Sequence, residues 1–361
     1  MRLPPDVVVV LLLILECCAA IEPLTMGGLA IGALTSAGVA LYANFKCKIL
    51  ECCAEPYVRS PERVDRTLKS ILHSRVYGQH IAIDLVLSNV HNHLTTSPKK
   101  PLVMSFHGGT GVGKNYVARL IAQMMFKKGT DSKFHHLLIS TLDFASGANV
   151  VASRMHLQSL VKGNLSECPR SLFIFDEVEK IPSGILDGLQ PFLDYHDSLI
   201  HGVDPRKAIF IFLSNTGRRQ IDTIAYEAWE HGRSRESLTI QDFQKTLQLS
   251  AFNEKSGLLL SDLIQEELVD IYIPFLPLER KHVEGCIRDY ITESNYTINE
   301  SVVESIADEL DYLPKEDPRF SATGCKRIRE KFVGFKHKLQ KIVPQDEKLQ
   351  AKRSSEEEAE G

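Results

Sequence analysis

The segment Gly108-Gly109-Thr110-Gly111-Val112-Gly113-Lys114-Asn115 constrains this chain more than any other. It follows a short apolar run, Leu102-Val103-Met104-Ser105-Phe106, and opens an amphipathic stretch that reaches about Lys127. A buried strand, a glycine-rich turn and a helix in that order make GxxxxGK a phosphate-binding loop. Glycines let the backbone amides curl round an anion without Cβ clashes. The helix aims its first amides at the same anion, and Lys114 adds a point charge on the β/γ oxygens of a nucleotide. Such loops usually continue with Ser or Thr, whose hydroxyl ligates Mg²⁺. Here the residue is Asn115, whose amide oxygen can also ligate a hard cation, directly or through water.

A second apolar run, Ser171-Leu172-Phe173-Ile174-Phe175, ends in Asp176-Glu177. Asp176 can hold Mg²⁺ through water, and Glu177 can act as general base toward an attacking water. A third run, Ala208 to Leu213, ends at Ser214-Asn215, placing an amide where it can orient water beside a γ-phosphate. His136–Ile139 is a further strand-like segment. Strands alternating with helices predict an α/β fold, a parallel sheet flanked by helices with the site at its carboxyl ends.

Apolar residues make up 43% and charged residues 24%, which excludes a wholly disordered chain. A net charge of -4 gives no global basic field and no argument for nucleic acid. Residues 7–15 read VVVVLLLIL, with Arg2 before and Cys18-Ala19-Ala20 after, the pattern of a cleaved signal peptide. Leu24–Ala43 carries no charge and is long enough to span a bilayer. If it spans, Lys46 and Lys48 fall on the cytosolic side and the body is cytosolic. If it lies in one leaflet, the body stays luminal. The sequons at Asn164, Asn295 and Asn299 favour the lumen. Of eight cysteines, only Cys168, Cys286 and Cys325 lie beyond residue 54. Cys286 and Cys325 form either a disulfide, in an oxidising compartment, or two buried thiols.

These motifs, with Tyr77-Gly78-Gln79-His80, Pro191-Phe192-Leu193-Asp194-Tyr195, Pro274-Phe275-Leu276-Pro277-Leu278-Glu279 and Gly324-Cys325-Lys326, resemble the torsins, AAA+ ATPases related to the Clp group, and within them the torsin-1 type. Asn115 after the loop lysine is itself a torsin feature. The resemblance covers about residues 25–335. It implies ATP and Mg²⁺ as cofactors, and a location in the lumen of the endoplasmic reticulum and nuclear envelope. It also implies a homo-oligomer, held to the membrane surface by residues 21–45 without crossing it. Lys326 matches a lysine that reaches the nucleotide from the helical lid. Cys325 and Cys286 match a redox-sensitive pair. The arginine finger of Clp-type ATPases falls by alignment on Leu268, and Arg280 lies too far along to replace it. Torsins take the arginine from a partner, the luminal domain of a lamina-associated-polypeptide-type membrane activator. No aromatic-Gly pore loop occurs between His136 and Asn164, which argues against peptide threading. Asp308 and Glu309 match a region of activator contact; a solvated helix face accounts for them equally well.

The expected organisation is a signal peptide (1–20), a membrane-associating segment (21–55), an AAA+ nucleotide-binding domain (56–276), a small helical lid (277–344) and a charged, disordered tail (345–361). Residues 56–100 read as a helical lead-in and 221–250 as two amphipathic helices, with Trp229 in the core. Three functions compete: an activator-dependent luminal ATPase with chaperone-like remodelling activity, a nucleotide-controlled scaffold or filament with little hydrolysis of its own, and a membrane-anchored cytosolic ATPase.

Overall fold

The computed structural model describes residues 47, 50–144, 149–195, 199–200, 202–253 and 268–342. The signal peptide, Leu24–Ala43 and the charged tail lie outside them. Among the described residues no helix is long and apolar enough to cross a membrane. The described residues from Cys52 onward form one compact unit.

That unit opens with α1 (Pro61–Arg75) and α2 (His80–Thr95), the expected helical lead-in. Pro61 suits the first turn of α1, where its missing N–H has no partner to lose. Then come β1 (Leu102–Gly108), α3 (Lys114–Met125), β2 (His135–Ile139), α4 (Val150–Glu167), β3 (Leu172–Asp176), β4 (Ile209–Ser214), α5 (Arg218–Glu230), α6 (Ile240–Asn253) and β5 (Ile271–Phe275). The strands form one parallel sheet in the order β2-β3-β4-β1-β5. β1 therefore sits between β4 and β5, with Met104 opposite both Ile211 and Ile271. Pro274 lies in β5, an edge strand, where a missing N–H is tolerated.

Helices cover both faces of this sheet, so its strands read as continuous apolar runs. Alternation still sorts the side chains. Ile174, Ile209, Ile211 and Leu213 enter one core with α1, α2 and α3. Phe173, Phe175, Phe210 and Phe212 enter the other with α4. There Phe173 stacks on Phe210 with ring centroids 4.8 Å apart.

A helical lid follows: α7 (Arg280–Glu293), α8 (Glu300–Asp308), the short hairpin β6 (Tyr312–Leu313) and β7 (Phe320–Ser321), and α9 (Ile328–Phe335). Ile287, Ile291, Val303, Ile306 and Phe332 join the same apolar cluster as the β1 side chains, so the lid shares a core with the sheet. The disulfides Cys53–Cys168 and Cys286–Cys325 tie distant segments. Trp229 departs from expectation: it is half-buried, with the Arg319 guanidinium 4.0 Å above its ring.

Candidate functional site

The site is built where β1, β3 and β4 end. Gly108, Gly111 and Gly113 all have positive φ, the backbone curl that the loop needs. A Cβ on Gly113 would meet nothing within 4 Å, so the loop faces open space there. Gly111 is different. A Cβ on it would collide with the Thr323 carbonyl, and a Cβ on Gly324 would collide with the Gly111 carbonyl. The Cys325 amide donates to Gly111 O at 3.0 Å. The lid turn is thus seated directly on the loop, and glycine on both sides permits it.

Lys114 is buried, and its Nζ donates to Gly108 O (2.6 Å), Gly109 O (2.7 Å) and Asn215 Oδ1 (3.1 Å). Burial lowers its pKa to about 8 although Glu179 and Asp176 oppose the shift. The desolvated ammonium is held directly by neutral oxygens, with the carboxylates of Glu179 and Asp176 acting on it without a direct bond. Meanwhile the amides of Gly111, Val112 and Gly113 donate to no backbone carbonyl among the described residues. The charge and the amides together fit a polyphosphate.

Asn115 Nδ2 donates to Asp176 Oδ2 at 2.7 Å, and the other Asp176 oxygen accepts from the Glu177 amide at 2.9 Å. The two oxygen-bearing side chains thus meet at the loop's edge, as a hard cation would require. With an amide flip, Asn115 presents its oxygen to the same point. Glu177 stands at φ 56°, the left-handed region, and its carboxylate pairs with Lys180 Nζ at 2.8 Å. To serve as a base it must exchange that partner for water. Asn215 is held by Glu179, with Nδ2 to Oε1 at 2.7 Å and N to Oε2 at 3.3 Å. Ser214 Oγ also donates to Glu179 Oε2 and contacts Thr216 Oγ1. Thr216 Oγ1 in turn meets buried His107, whose pKa burial lowers to about 4. A buried polar network therefore sets the Asn215 rotamer from below.

A cavity of about 580 Å³ opens between loop and lid, lined by Thr110, Lys114, Asn115, Asp176, Asn215 and Lys326 among others. Glu177 and Val112 also line it, as do both cysteines of the Cys286–Cys325 bridge. Every proposed nucleotide-site side chain, drawn from segments as distant as residues 114 and 326, converges here. Leu268, the aligned finger position, is 4% exposed and packs in the core with α4. Arg280 is engaged by Glu284 and Asp308, and Glu309 by Lys331. Of the sequons, Asn164 lies half-buried within α4 and caps its end through its carbonyl, Asn295 is exposed at φ 63°, and the Asn299 side chain caps α8.

Sequence reasoning missed three parts. Glu179 carries a signal, a third acid just past Asp176-Glu177, but no role was assigned to it. Gln79, 1% exposed, bridges Val112 O and both polar backbone groups of Leu276. The Cys53–Cys168 bridge joins residues 115 apart, and no local pattern marks such a pair.

A family model described as Torsin matches residues 47–175, and one described as Torsin-1A, C-terminal domain matches residues 278–333. A Torsin-like protein of Caenorhabditis elegans is 39% identical over 80% of this chain and 81% of its own length. A Torsin-like protein of Drosophila melanogaster is 36% identical over 86% of this chain and 91% of its own. Among solved structures, the S. cerevisiae Hsp104-ADP complex matches with TM-score 0.54 at 17% identity, over 76% of this chain and 47% of that one. Closed-state Hsp104 with ATPγS and FITC casein gives TM-score 0.51 at 18% identity, over 76% of this chain and 46% of that one. The chain spans about half the length of these Hsp104 chains, and the likeness establishes the AAA+ fold.

Proposed function

The chain belongs to the torsin family of AAA+ ATPases, and we propose that it hydrolyses ATP with Mg²⁺, slowly alone and fast with a partner that supplies an arginine. The observation that carries this is the convergence of Lys114, Asp176, Glu177 and Asn215 on one cavity, while the aligned finger position is a buried leucine. A bound magnesium nucleotide would supply the phosphoanhydride and the charge that it polarises. Lys114 and the loop amides would hold its β/γ phosphates, and Asn115 with Asp176 its cation. Glu177, released from Lys180, would accept a proton from water oriented by Asn215. Lys326 would close the cavity from the lid. None of these groups is an arginine presented by a second copy of the chain at the aligned position. A finger is worth about 10³–10⁵ in rate.

The torsin resemblance supplies the partner, the luminal domain of a lamina-associated-polypeptide-type activator. It also supplies the luminal setting, membrane attachment through residues 21–45 and a chaperone-like remodelling role. The Cys53–Cys168 and Cys286–Cys325 disulfides suit an oxidising lumen. ATP turnover with and without that luminal domain tests the reading. Stimulation should be about 10³-fold, absent when the partner's arginine is replaced by Ala and absent in Glu177→Gln, which should still bind ATP. Brisk turnover by the purified chain alone, lost in Glu177→Gln, would refute the need for a partner. No turnover in either case, with nucleotide bound, would favour the scaffold.

A further inference from the structure

The lid turn of residues 322–326 brings Lys326 to the wall of the nucleotide cavity. Within the lid, the Ala322 amide donates to Asp311 O at 2.9 Å and the Lys326 amide to Thr323 O at 3.2 Å. Among the described residues, two hydrogen bonds join this turn to the nucleotide-binding body. One is the Cys325 amide on Gly111 O. The other is Arg218 Nη2 on Ala322 O, at 3.1 Å. The first runs from backbone to backbone, and most residues would make it. The second depends on one side chain.

Arg218 stands in a poor local place for a cation. It is the first residue of α5, Arg219 follows it, and the first turn holds no acid. The positive end of a helix disfavours both charges, so local structure does not account for Arg218. Its tertiary contacts do. A Cβ on Gly109 would lie 3.2 Å from Arg218 Nε, 3.5 Å from Cδ and 3.6 Å from Cγ. The arginine stem thus runs along the phosphate loop, and glycine there makes room for it. Its counter-ion is weak: Asp222 Oδ2 is 3.4 Å from Nε, with the two side chains 39% and 38% exposed. The far end of α5 meets the lid as well, where Arg319 lies over Trp229. Lys114 Nζ, meanwhile, holds Gly109 O and Asn215 Oδ1, the first beside the Arg218 stem and the second three residues before it. A polyphosphate that draws Lys114 to itself releases both, and Arg218 adjoins each.

We propose that Arg218 is a positioning residue for nucleotide: its stem on Gly109 and its Nη2 on Ala322 O hold the lid turn in register with the phosphate loop, and so present Lys326 to the phosphates. The proposal rests on the ATPase reading above. Arg218 is not among the residues that line the cavity; it acts through Gly109 and Ala322. Nucleotide binds the seated lid, so whatever weakens the seat weakens binding by up to the same factor.

The test uses the full-length chain. Arg218→Met keeps most of the stem without a donor, and Arg218→Lys keeps stem, charge and one donor group. MgADP affinity is measured by calorimetry, and KM and kcat with the activator's luminal domain present. Lid seating is read from the emission of Trp229, the single tryptophan, about 16 Å along α5 from the substituted residue. One net hydrogen bond is worth about 3- to 10-fold in an equilibrium, so Arg218→Met should raise the MgADP Kd and the KM for ATP by about that factor. Saturated kcat should stay within about twofold, because Lys114, Asp176, Glu177 and Asn215 are untouched. Trp229 emission of the nucleotide-free variant should differ from wild type, because Arg319 lifts with the turn, and saturating MgADP should close the difference. Arg218→Lys should recover part of the affinity. Should Arg218→Met fold poorly, Arg218→Lys alone should still show a smaller loss of affinity with the same direction of emission change. Unchanged affinity and emission in Arg218→Met would overturn the proposal, as would a loss confined to kcat or one that Arg218→Lys does not relieve. Binding and emission need no turnover, so a chain inactive even with the activator would refute the ATPase reading alone.

Discussion

Replacing Gln79 should weaken the whole unit, because its amide joins the phosphate loop to the exit of β5. Nε2 donates to Val112 O at 3.0 Å and Leu276 O at 2.8 Å, and Oε1 accepts from Leu276 N at 2.8 Å, all in a buried setting. Gln79→Ala leaves one buried donor and two buried acceptors without partners. Each such orphan costs about 1–3 kcal/mol, and two of the three share one residue, so about 3–5 kcal/mol is expected in total. Gln79→Glu tests the direction of the bonds. Its carboxylate still accepts from Leu276 N but sets an oxygen against two carbonyls; protonation restores a donor to one of them. The folded pKa of that glutamate is therefore raised. The pH-dependent part of its penalty is absent below the unfolded value of about 4.3 and grows as pH rises toward the folded value, while the second carbonyl stays unserved throughout. Urea unfolding followed through Trp229, the single tryptophan, reports both variants. A Gln79→Ala chain within about 1 kcal/mol of wild type would refute the account, since one net hydrogen bond is worth that much.

Nucleotide affinity should fall as pH rises above about 8, where burial neutralises Lys114 in the nucleotide-free protein. Binding must then take up a proton, about 0.9 at pH 9, read by calorimetry in buffers of different ionisation enthalpy; heats independent of buffer would contradict it. Gly324→Ala places a methyl against the Gly111 carbonyl at φ 54°. It should lift the lid turn, lower nucleotide affinity about tenfold or more and lower the melting temperature, with calorimetry as the check. Glu179→Ala removes the partner of Asn215 Nδ2 and leaves only Lys114 on its oxygen, so activator-stimulated turnover should drop about 10-fold or more while ATP affinity changes less, a split that steady-state kinetics resolves.

Much of this was legible because it is local. A buried parallel strand must be a short apolar run, and β1, β3 and β4 are such runs. The phosphate loop and the Asp176-Glu177 pair follow them within a few residues, so motif and context are read in one window. Helix α9 and the β6–β7 hairpin were not foreseen: eight residues of mixed polarity and two two-residue strands carry too little periodicity. Trp229 was assigned to the core on hydrophobicity alone, whereas its partner, Arg319, comes from the lid. The Cys286–Cys325 pairing rested on resemblance, and the structure shows the bridge. Gln79 illustrates the limit best. A glutamine before a helix looks solvated in sequence, and only the fold shows that its partners lie 33 and 197 residues away.

These partners explain why the lid and the loop must act together. The loop carbonyls are taken up by the protein: Gly108 O and Gly109 O by Lys114, Gly111 O by Cys325 and Val112 O by Gln79. A peptide plane with its carbonyl so held points the next residue's N–H the opposite way, and for Gly111 O and Val112 O those are the amides of Val112 and Gly113, which among the described residues have no backbone acceptor. The anion cradle is thus fixed from three directions, two of them outside the loop. One of those two, Cys325, is bridged to α7 and adjoins Lys326. Movement of the lid, whether from nucleotide, partner or reduction of that bridge, is passed through the Cys325 amide directly to the plane of Gly111. Lid position and phosphate affinity are therefore coupled most directly by that backbone hydrogen bond and two glycines with no room for a side chain, with the Arg218 bond to Ala322 O beside them.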